Sequence, residues 1–278
     1  MWIDILLATA AIVGVGLVCG GVLVLSHHFF HVKEDERFPK VRECLPGVNC
    51  GACGFTGCDE YAKALLANDT LPTNLCVPGA DAVAKALANA LGKEALDVIE
   101  QVAVLACDGN CFATSRKFNY DGPKSCKSAT ALYGGDGLCA YGCLGYGDCA
   151  AVCPNDAICI KDGIAHIDTR KCIGCGLCVK NCPHHVISLM ADVERVYVAC
   201  SNKDKGAQTR KVCQNGCIGC KKCEKTCPHG AITVVDNLAR IDYDKCVDCK
   251  KCVEVCPVNC IIYADLSGLH RGLESVEG

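Results

Sequence analysis

Residues Cys217 to Pro228 read CIGCKKCEKTCP. Three cysteines recur at i, i+3 and i+6. A fourth follows four residues later, directly before a proline. This C-x2-C-x2-C-x3-C-P run is a [4Fe–4S] spacing: the three close cysteines wrap one cubane, and the fourth ligates a neighbouring cluster.

Working outward, the run is repeated. A shift of seventy-four residues places Cys149, Cys153, Cys172, Cys175, Cys178 and Cys182 on Cys223, Cys227, Cys246, Cys249, Cys252 and Cys256. It also places Cys126, Cys139 and Cys143 on Cys200, Cys213 and Cys217. GIAHIDTRKC ends at Cys172 and NLARIDYDKC ends at Cys246, so the text between motifs repeats too. Each C-P leads into an apolar pair that predicts a short strand: Ala157-Ile158, Val186-Ile187, Ala231-Ile232 and Cys260-Ile261. Two ferredoxin-like modules, 139–190 and 213–264, are expected, with a linker at 191–212 and a tail at 265–278.

The crossover of the fourth cysteine sets the ligands. In the second module one cluster takes Cys217, Cys220, Cys223 and Cys256, and the other takes Cys246, Cys249, Cys252 and Cys227. In the first module one takes Cys172, Cys175, Cys178 and Cys153. Its companion is irregular, because Tyr146 stands where Cys220 stands in the second copy. Cys143, Cys149 and Cys182 then need a fourth ligand, for which Cys139 is the candidate; a three-iron cluster is the alternative. A sixth cluster on Cys107, Cys111, Cys126 and Cys200, with Cys213 interchangeable with the last, is set against structural thiols in the connecting segment 107–138.

Nearer the N-terminus, Cys50, Cys53 and Cys58 lie in NCGACGFTGC, and Cys76 follows. Glycines between the close cysteines permit the backbone approach that an anionic cubane needs. A [4Fe–4S] cluster is expected here, with zinc as the alternative. Asp59 to Ala67 predicts a short helix. Asp81 to Ile99 predicts a second, capped by Asp81 and interrupted near Gly92, and Val102 to Ala106 predicts a buried strand. Residues 33–106 are read together as this small domain. Before it, Ile5 to Leu25 is apolar apart from small residues and long enough to cross a bilayer. No Lys or Arg precedes residue 33 and no cleavage site follows, so residues 1–27 read as a retained anchor rather than a signal peptide. Lys33, Arg37, Lys40 and Arg42 place the bulk of the chain on the cytoplasmic side of a plasma membrane. The fold class is thus α+β: a transmembrane helix, a small α-rich cluster domain and two ferredoxin-like modules.

Composition agrees. There are 29 cysteines in 278 residues, six phenylalanines, eight tyrosines and one tryptophan, so clusters replace part of the apolar core. A secreted disulfide scaffold is disfavoured by the iron–sulfur spacing. The net charge of −3 gives no nucleic-acid signal. Charge is uneven, however. Lys203, Lys205, Arg210, Lys211, Lys221, Lys222, Lys225, Lys245, Lys250 and Lys251 crowd the second module, a basic face suited to a small acidic electron carrier.

The order of parts resembles the B subunits of the Rnf complex, a membrane-bound ferredoxin:NAD+ oxidoreductase that pumps Na+ or H+. The N-terminal span, NCGACGFTGC with Cys76, CDGNC, YGCLGYGDCAAVCP and the two ferredoxin modules carry the resemblance over nearly the whole chain. It implies an iron–sulfur subunit in a bacterial cell membrane that takes electrons from reduced ferredoxin and passes them on. It implies as partners a flavin- and NAD-binding subunit, integral membrane subunits and a covalent-flavin subunit. Five or six [4Fe–4S] clusters are expected, with no flavin or NAD in this chain, since it shows no Gly-rich nucleotide fingerprint. A membrane-anchored polyferredoxin serving another enzyme, such as a hydrogenase, is the alternative.

Overall fold

The computed structural model describes residues 2–29, 35–94, 100–191 and 194–266. The chain divides into two compact units, 1–40 and 41–278. The first is dominated by helix α1 (Trp2–Phe29), 28 residues long. Its described side chains, at 2, 3, 5, 9, 10 and 13–26, are exposed, and many are apolar, including Trp2, Ile5, Leu17 and Leu23. Among the described residues, no helix is long and apolar enough to cross a membrane. Lys33, and the tail from 267 onward, lie outside the described residues. A short helix, α2 (Phe38–Glu43), follows.

In the second unit, α3 (Cys58–Ala67) begins after Gly57, with Asp59 and Glu60 in its first turn, where acidic side chains complement the helix dipole. It buries Tyr61, Ala62 and Leu65. Helix α4 (Ala80–Leu91) buries Ala80, Ala84, Leu87 and Ala88, one face of a 3.6-residue repeat. Its cap is Gly79, and Asp81 sits within the first turn rather than at the cap. Gly92 ends it in the left-handed region at φ +66, as a C-terminal glycine does. The continuation expected to Ile99 falls on 95–99, outside the described residues.

Among the described residues, the rest is four two-stranded antiparallel sheets with short helices between them. In order, they are β1 (Gln101–Leu105), α5 (Cys126–Thr130), α6 (Asp148–Ala151), β2 (Ile158–Lys161), β3 (Ile164–Ile167), α7 (Leu177–Asn181) and β4 (Ile187–Ala191). Then come β5 (Glu194–Val198), α8 (Gly206–Val212), α9 (Lys222–Thr226), β6 (Ile232–Val235), β7 (Leu238–Ile241), α10 (Lys251–Glu254) and β8 (Ile261–Asp265). All four strands expected after the C-P motifs are present, as β2, β4, β6 and β8. Asp162-Gly163 and Asp236-Asn237, all at positive φ, close the β2–β3 and β6–β7 hairpins. Two residues at positive φ match the strand twist, which is why Asp, Asn and Gly stand there.

β1 pairs with β4, from Gln101 opposite Ala191 to Leu105 opposite Ile187. β5 pairs with β8 in the same way. The strand that the sequence groups with the N-terminal part therefore belongs to the first ferredoxin sheet, and the stretch read as a linker supplies the first strand of the second. β1 and β5 lie ninety-three residues apart, whereas β2 and β6 lie seventy-four apart. The first module thus carries nineteen extra residues between its first strand and its first hairpin. Each module's core mixes strand aliphatics with thiols. Ala103, Ile158, Ala165, Val186 and Ile187 pack with Cys149, Cys178 and Cys182. Val196, Ile232, Leu238 and Ile261 pack with Cys217, Cys223 and Cys252.

Candidate iron–sulfur centres

Among the described residues, no cysteine forms a disulfide. Nor do any three His, Cys, Asp or Glu side chains among them stand close enough to share one metal ion. The thiols gather in looser sets of four, and a cubane spreads its thiolates over separate corners whereas zinc draws them to one point.

Cys50, Cys53, Cys58 and Cys76 form the first set. Cys76 is buried, and burial, reinforced by the charges of the other three, pushes its thiol up to about 11. Asn49 Oδ1 accepts the Cys58 amide at 2.8 Å, fixing the loop at the start of α3. Tyr61 holds the return of the chain through a hydrogen bond to the Pro72 carbonyl, 2.9 Å. Lys180 Nζ donates to the carbonyls of Cys50 and Gly51 at 3.1 and 3.2 Å, tying this loop to α7.

The set Cys153, Cys172, Cys175 and Cys178 comes next. Burial, then the neighbouring Cys172 and Cys175, raises Cys178 to about 12. Backbone amides point at the sulfurs: Ala157 N to Cys153 Sγ at 3.3 Å, and Ala103 N, from β1, to Cys172 Sγ at 3.3 Å. Gly174 is the spacing residue here. It sits at φ +63, and a Cβ would come within 2.3 Å of the Gln101 carbonyl, so no other side chain fits. Cys50 is among the charges that raise Cys175, after burial, so the first two sets are neighbours.

The irregular set is resolved differently from the sequence expectation. Cys126, Cys143, Cys149 and Cys182 line one cavity. The structure does not bring Cys139 to it. Burial first, then Cys126, raises Cys149, to about 11. The cause is the inserted stretch, which folds α5 over the gap left by Tyr146. Asp148, on α6, accepts from Ser125 Oγ at 2.9 Å and from the amides of Cys126 and Lys127 at 3.0 Å each, so α5 is clamped with its first residue, Cys126, at the cavity. Tyr146 turns away. Its hydroxyl donates to buried Asp136 at 2.8 Å, and Arg116 pairs with the same carboxylate.

In the second module, Cys217, Cys220, Cys223 and Cys256 line one cavity. Burial, with Cys217, Cys220 and Cys256 beside it, lifts Cys223 to about 11. Cys227, Cys246, Cys249 and Cys252 form the last set. Burial lifts Cys252 to about 11, with Cys246 and Cys249 adding to it, and Ala231 N donates to Cys227 Sγ at 3.4 Å. Ala157–Cys153 and Ala231–Cys227 are the same bond in the two copies. Cys220 and Cys249 are exposed.

Of the cysteines expected in a sixth set, Cys107 and Cys200 line a further cavity together with Cys139 and Cys213. Cys111 is exposed and its amide bonds the Asp162 carbonyl at 2.8 Å; Cys126 is engaged at the irregular set. The signal for this grouping was in the register of β1 and β5, which cysteine counting alone does not see.

Four thiols with amides aimed at sulfur fit an iron–sulfur cubane. Comparison with known proteins agrees. A 4Fe-4S dicluster domain family matches residues 171–231 and 216–260, and a putative Fe-S cluster family matches residues 45–78. The chain is 43% identical over 261 residues to the B subunit of the Na(+)-translocating ferredoxin:NAD(+) oxidoreductase complex of Acetobacterium woodii, covering 93% of this chain and 78% of that protein. It is 43% identical over 229 residues to the B subunit of the proton-translocating complex of Clostridium ljungdahlii, covering 82% and 81%. It is 37% identical over 237 residues to the B subunit of an ion-translocating oxidoreductase complex of Methanosarcina acetivorans, covering 85% and 89%. With these identities spanning most of its length, the chain belongs to the B-subunit family of ion-translocating ferredoxin:NAD(+) oxidoreductase (Rnf) complexes.

Proposed function

We propose that this chain is the electron-relay subunit of a membrane-associated, ion-translocating ferredoxin:NAD+ oxidoreductase. The observation that carries the reading is the gathering of the thiols into sets of four, with the Cys50–Cys76 set beside the Cys153–Cys178 set at Cys175, and that set beside the irregular one at Cys149. Bound clusters supply one-electron transfer without moving atoms. The chain's own residues do the rest. They hold iron through thiolates, aim amides such as those of Ala103, Ala157 and Ala231 at sulfur, and keep water from the buried ligands. Because burial raises thiols such as Cys76, Cys149, Cys178, Cys223 and Cys252, loading with iron releases their protons. No general acid or base is required.

The ligand sets proposed are Cys50, Cys53, Cys58 and Cys76; Cys153, Cys172, Cys175 and Cys178; Cys126, Cys143, Cys149 and Cys182; Cys217, Cys220, Cys223 and Cys256; and Cys227, Cys246, Cys249 and Cys252. Helix α1 is the single membrane anchor, with the cluster-bearing unit on the cytoplasmic side. Its exposed apolar side chains, among them Trp2, Ile5, Leu17 and Leu23, support that reading. Reduced ferredoxin docks on the second module, where exposed Cys249 and Val247 are ringed by exposed Lys245, Lys250 and Lys251. The partners are the flavin- and NAD-binding, integral membrane and covalent-flavin subunits.

The test uses the assembled complex with Cys53→Ala. Reduced ferredoxin still bleaches the C-terminal clusters near 400 nm, while NAD+ reduction stops. If NAD+ reduction persists at the wild-type rate, the Cys50–Cys76 set is not in the relay.

A further inference from the structure

Four buried or half-buried thiols outside the five sets are related by the internal duplication. Cys107 follows the end of β1 by two residues, and Cys200 follows the end of β5 by two. The Cys143 amide donates to Cys107 Sγ at 3.4 Å, and the Cys217 amide donates to Cys200 Sγ at 3.3 Å. Cys139 and Cys213 stand four residues before Cys143 and Cys217, in CAYGC and CQNGC. Each module thus contributes one thiol after its first strand and one before its first regular ligand. All four line a single cavity where the modules meet.

The surroundings are built for anionic sulfur. Gly109 N also donates to Cys107 Sγ, 3.4 Å. Asn202, 2% exposed and belonging to the second module, donates its side-chain amide to Cys139 Sγ of the first at 3.4 Å. Its carbonyl oxygen is held by the Asp204 amide at 2.7 Å, which fixes the direction of that donor. Asn215 crosses the same junction to the Asp108 carbonyl and carboxylate at 3.0 and 2.7 Å. Gly109 leaves room as well: a Cβ there would sit 3.4 Å from Cys107 Sγ and 3.7 Å from Cys213 Sγ. A neutral thiol is a weak acceptor and has little use for such donors. A thiolate on iron, buried and negative, needs them.

We infer that Cys107, Cys139, Cys200 and Cys213 hold a further [4Fe–4S] cluster in this cavity, two thiolates from each module, joining the modules into one row. The inference rests on the reading of this chain as an iron–sulfur relay. The contacts place it directly between the two sets it would link, since Cys143 belongs to one and Cys217 to the other. Cys111 and Cys126 have no part in it.

Iron and acid-labile sulfide are counted on the full chain, purified without oxygen, with spectra of the dithionite-reduced protein by electron paramagnetic resonance. Wild type is expected to carry ~24 iron per chain, four for each of six cubanes. Cys213→Ser and Cys139→Ser are each expected to lose ~4 iron and as much sulfide, while Cys111→Ser stays at the wild-type value. A wild-type count of ~20 overturns the inference and leaves the relay intact, and this count needs no substitution that could disturb folding. Wild-type iron in both Cys213→Ser and Cys139→Ser overturns it too. A chain with no iron and no absorbance near 400 nm overturns the relay reading itself.

Discussion

Two copies of one module invite a comparison residue by residue, and the differences fall beside the sulfurs. In the first copy the β1 amide of Ala103 reaches Cys172 Sγ. In the second, the equivalent β5 amide of Val196 is taken by Asp248 Oδ1 at 2.7 Å, and that carboxylate stands 3.7 Å from Cys246 Sγ. Asp248 occupies the place of Gly174. An amide that would ease the addition of negative charge has been exchanged for a carboxylate that opposes it. The Cys227–Cys252 cluster is therefore expected to be the lower in potential of the two. Asp248→Gly should raise it by roughly 50 mV in a redox titration followed by electron paramagnetic resonance, the scale of one modest charge interaction at a partly exposed site. The backbone tolerates the change, since Asp248 already sits at φ +51. A second difference is Cys260, in the place of Val186. Its Sγ lies 3.7 Å from Cys256 Sγ, and it is 1% exposed. A thiol there can donate to ligand sulfur where a valine cannot, so Cys260→Val should move the Cys217–Cys256 cluster downward in potential with no loss of iron.

At the scale of elements, the nineteen-residue insertion decides the irregular set. Helix α5 is five residues long, too short to stand alone, and depends on the Asp148 clamp. Asp148→Ala removes all three hydrogen bonds that seat it. The expected outcome is a three-iron signal in the oxidised protein, or the loss of ~4 iron, with the other clusters unchanged in their spectra. This is also where sequence reading stopped. The local runs are legible because a cubane forces three cysteines into a fixed seven-residue span, and the crossover of the fourth follows from proline. Cys126 carries no such signature. It reaches its cavity through an insertion, and a shift of seventy-four residues aligns it with Cys200, whereas the strands align Cys107 with Cys200. The two registers differ by the insertion itself, which sequence spacing cannot locate. β1 escaped its true grouping for a related reason. Its partner lies more than eighty residues ahead, so a local reading attaches it to the helix behind it.

For the whole molecule, the apolar pairs after each C-P were legible as the starts of β2, β4, β6 and β8, whereas β1 and β5, which pair with β4 and β8, fell outside the expected module bounds. The basic residues noted in the second module all lie on its surface. Lys221 and Lys245 are partly engaged with Glu224 and Asp242, at 3.9 and 2.9 Å, and Lys250 covers the ring of Tyr263 at 3.5 Å. If this face receives an acidic carrier, the second-order rate of reduction by ferredoxin should fall by about tenfold or more between low and high salt, as steering is screened over a Debye length of about 10 Å at 0.1 M. A flat profile in stopped-flow measurements would place the entry point elsewhere. One further consequence comes from the cores. Each is built around ligand cysteines, on sheets of only two strands, which have little independent stability. Oxidative loss of iron takes away the chemistry and the centre of the fold together. The modules are therefore expected to lose their packing when their clusters are lost.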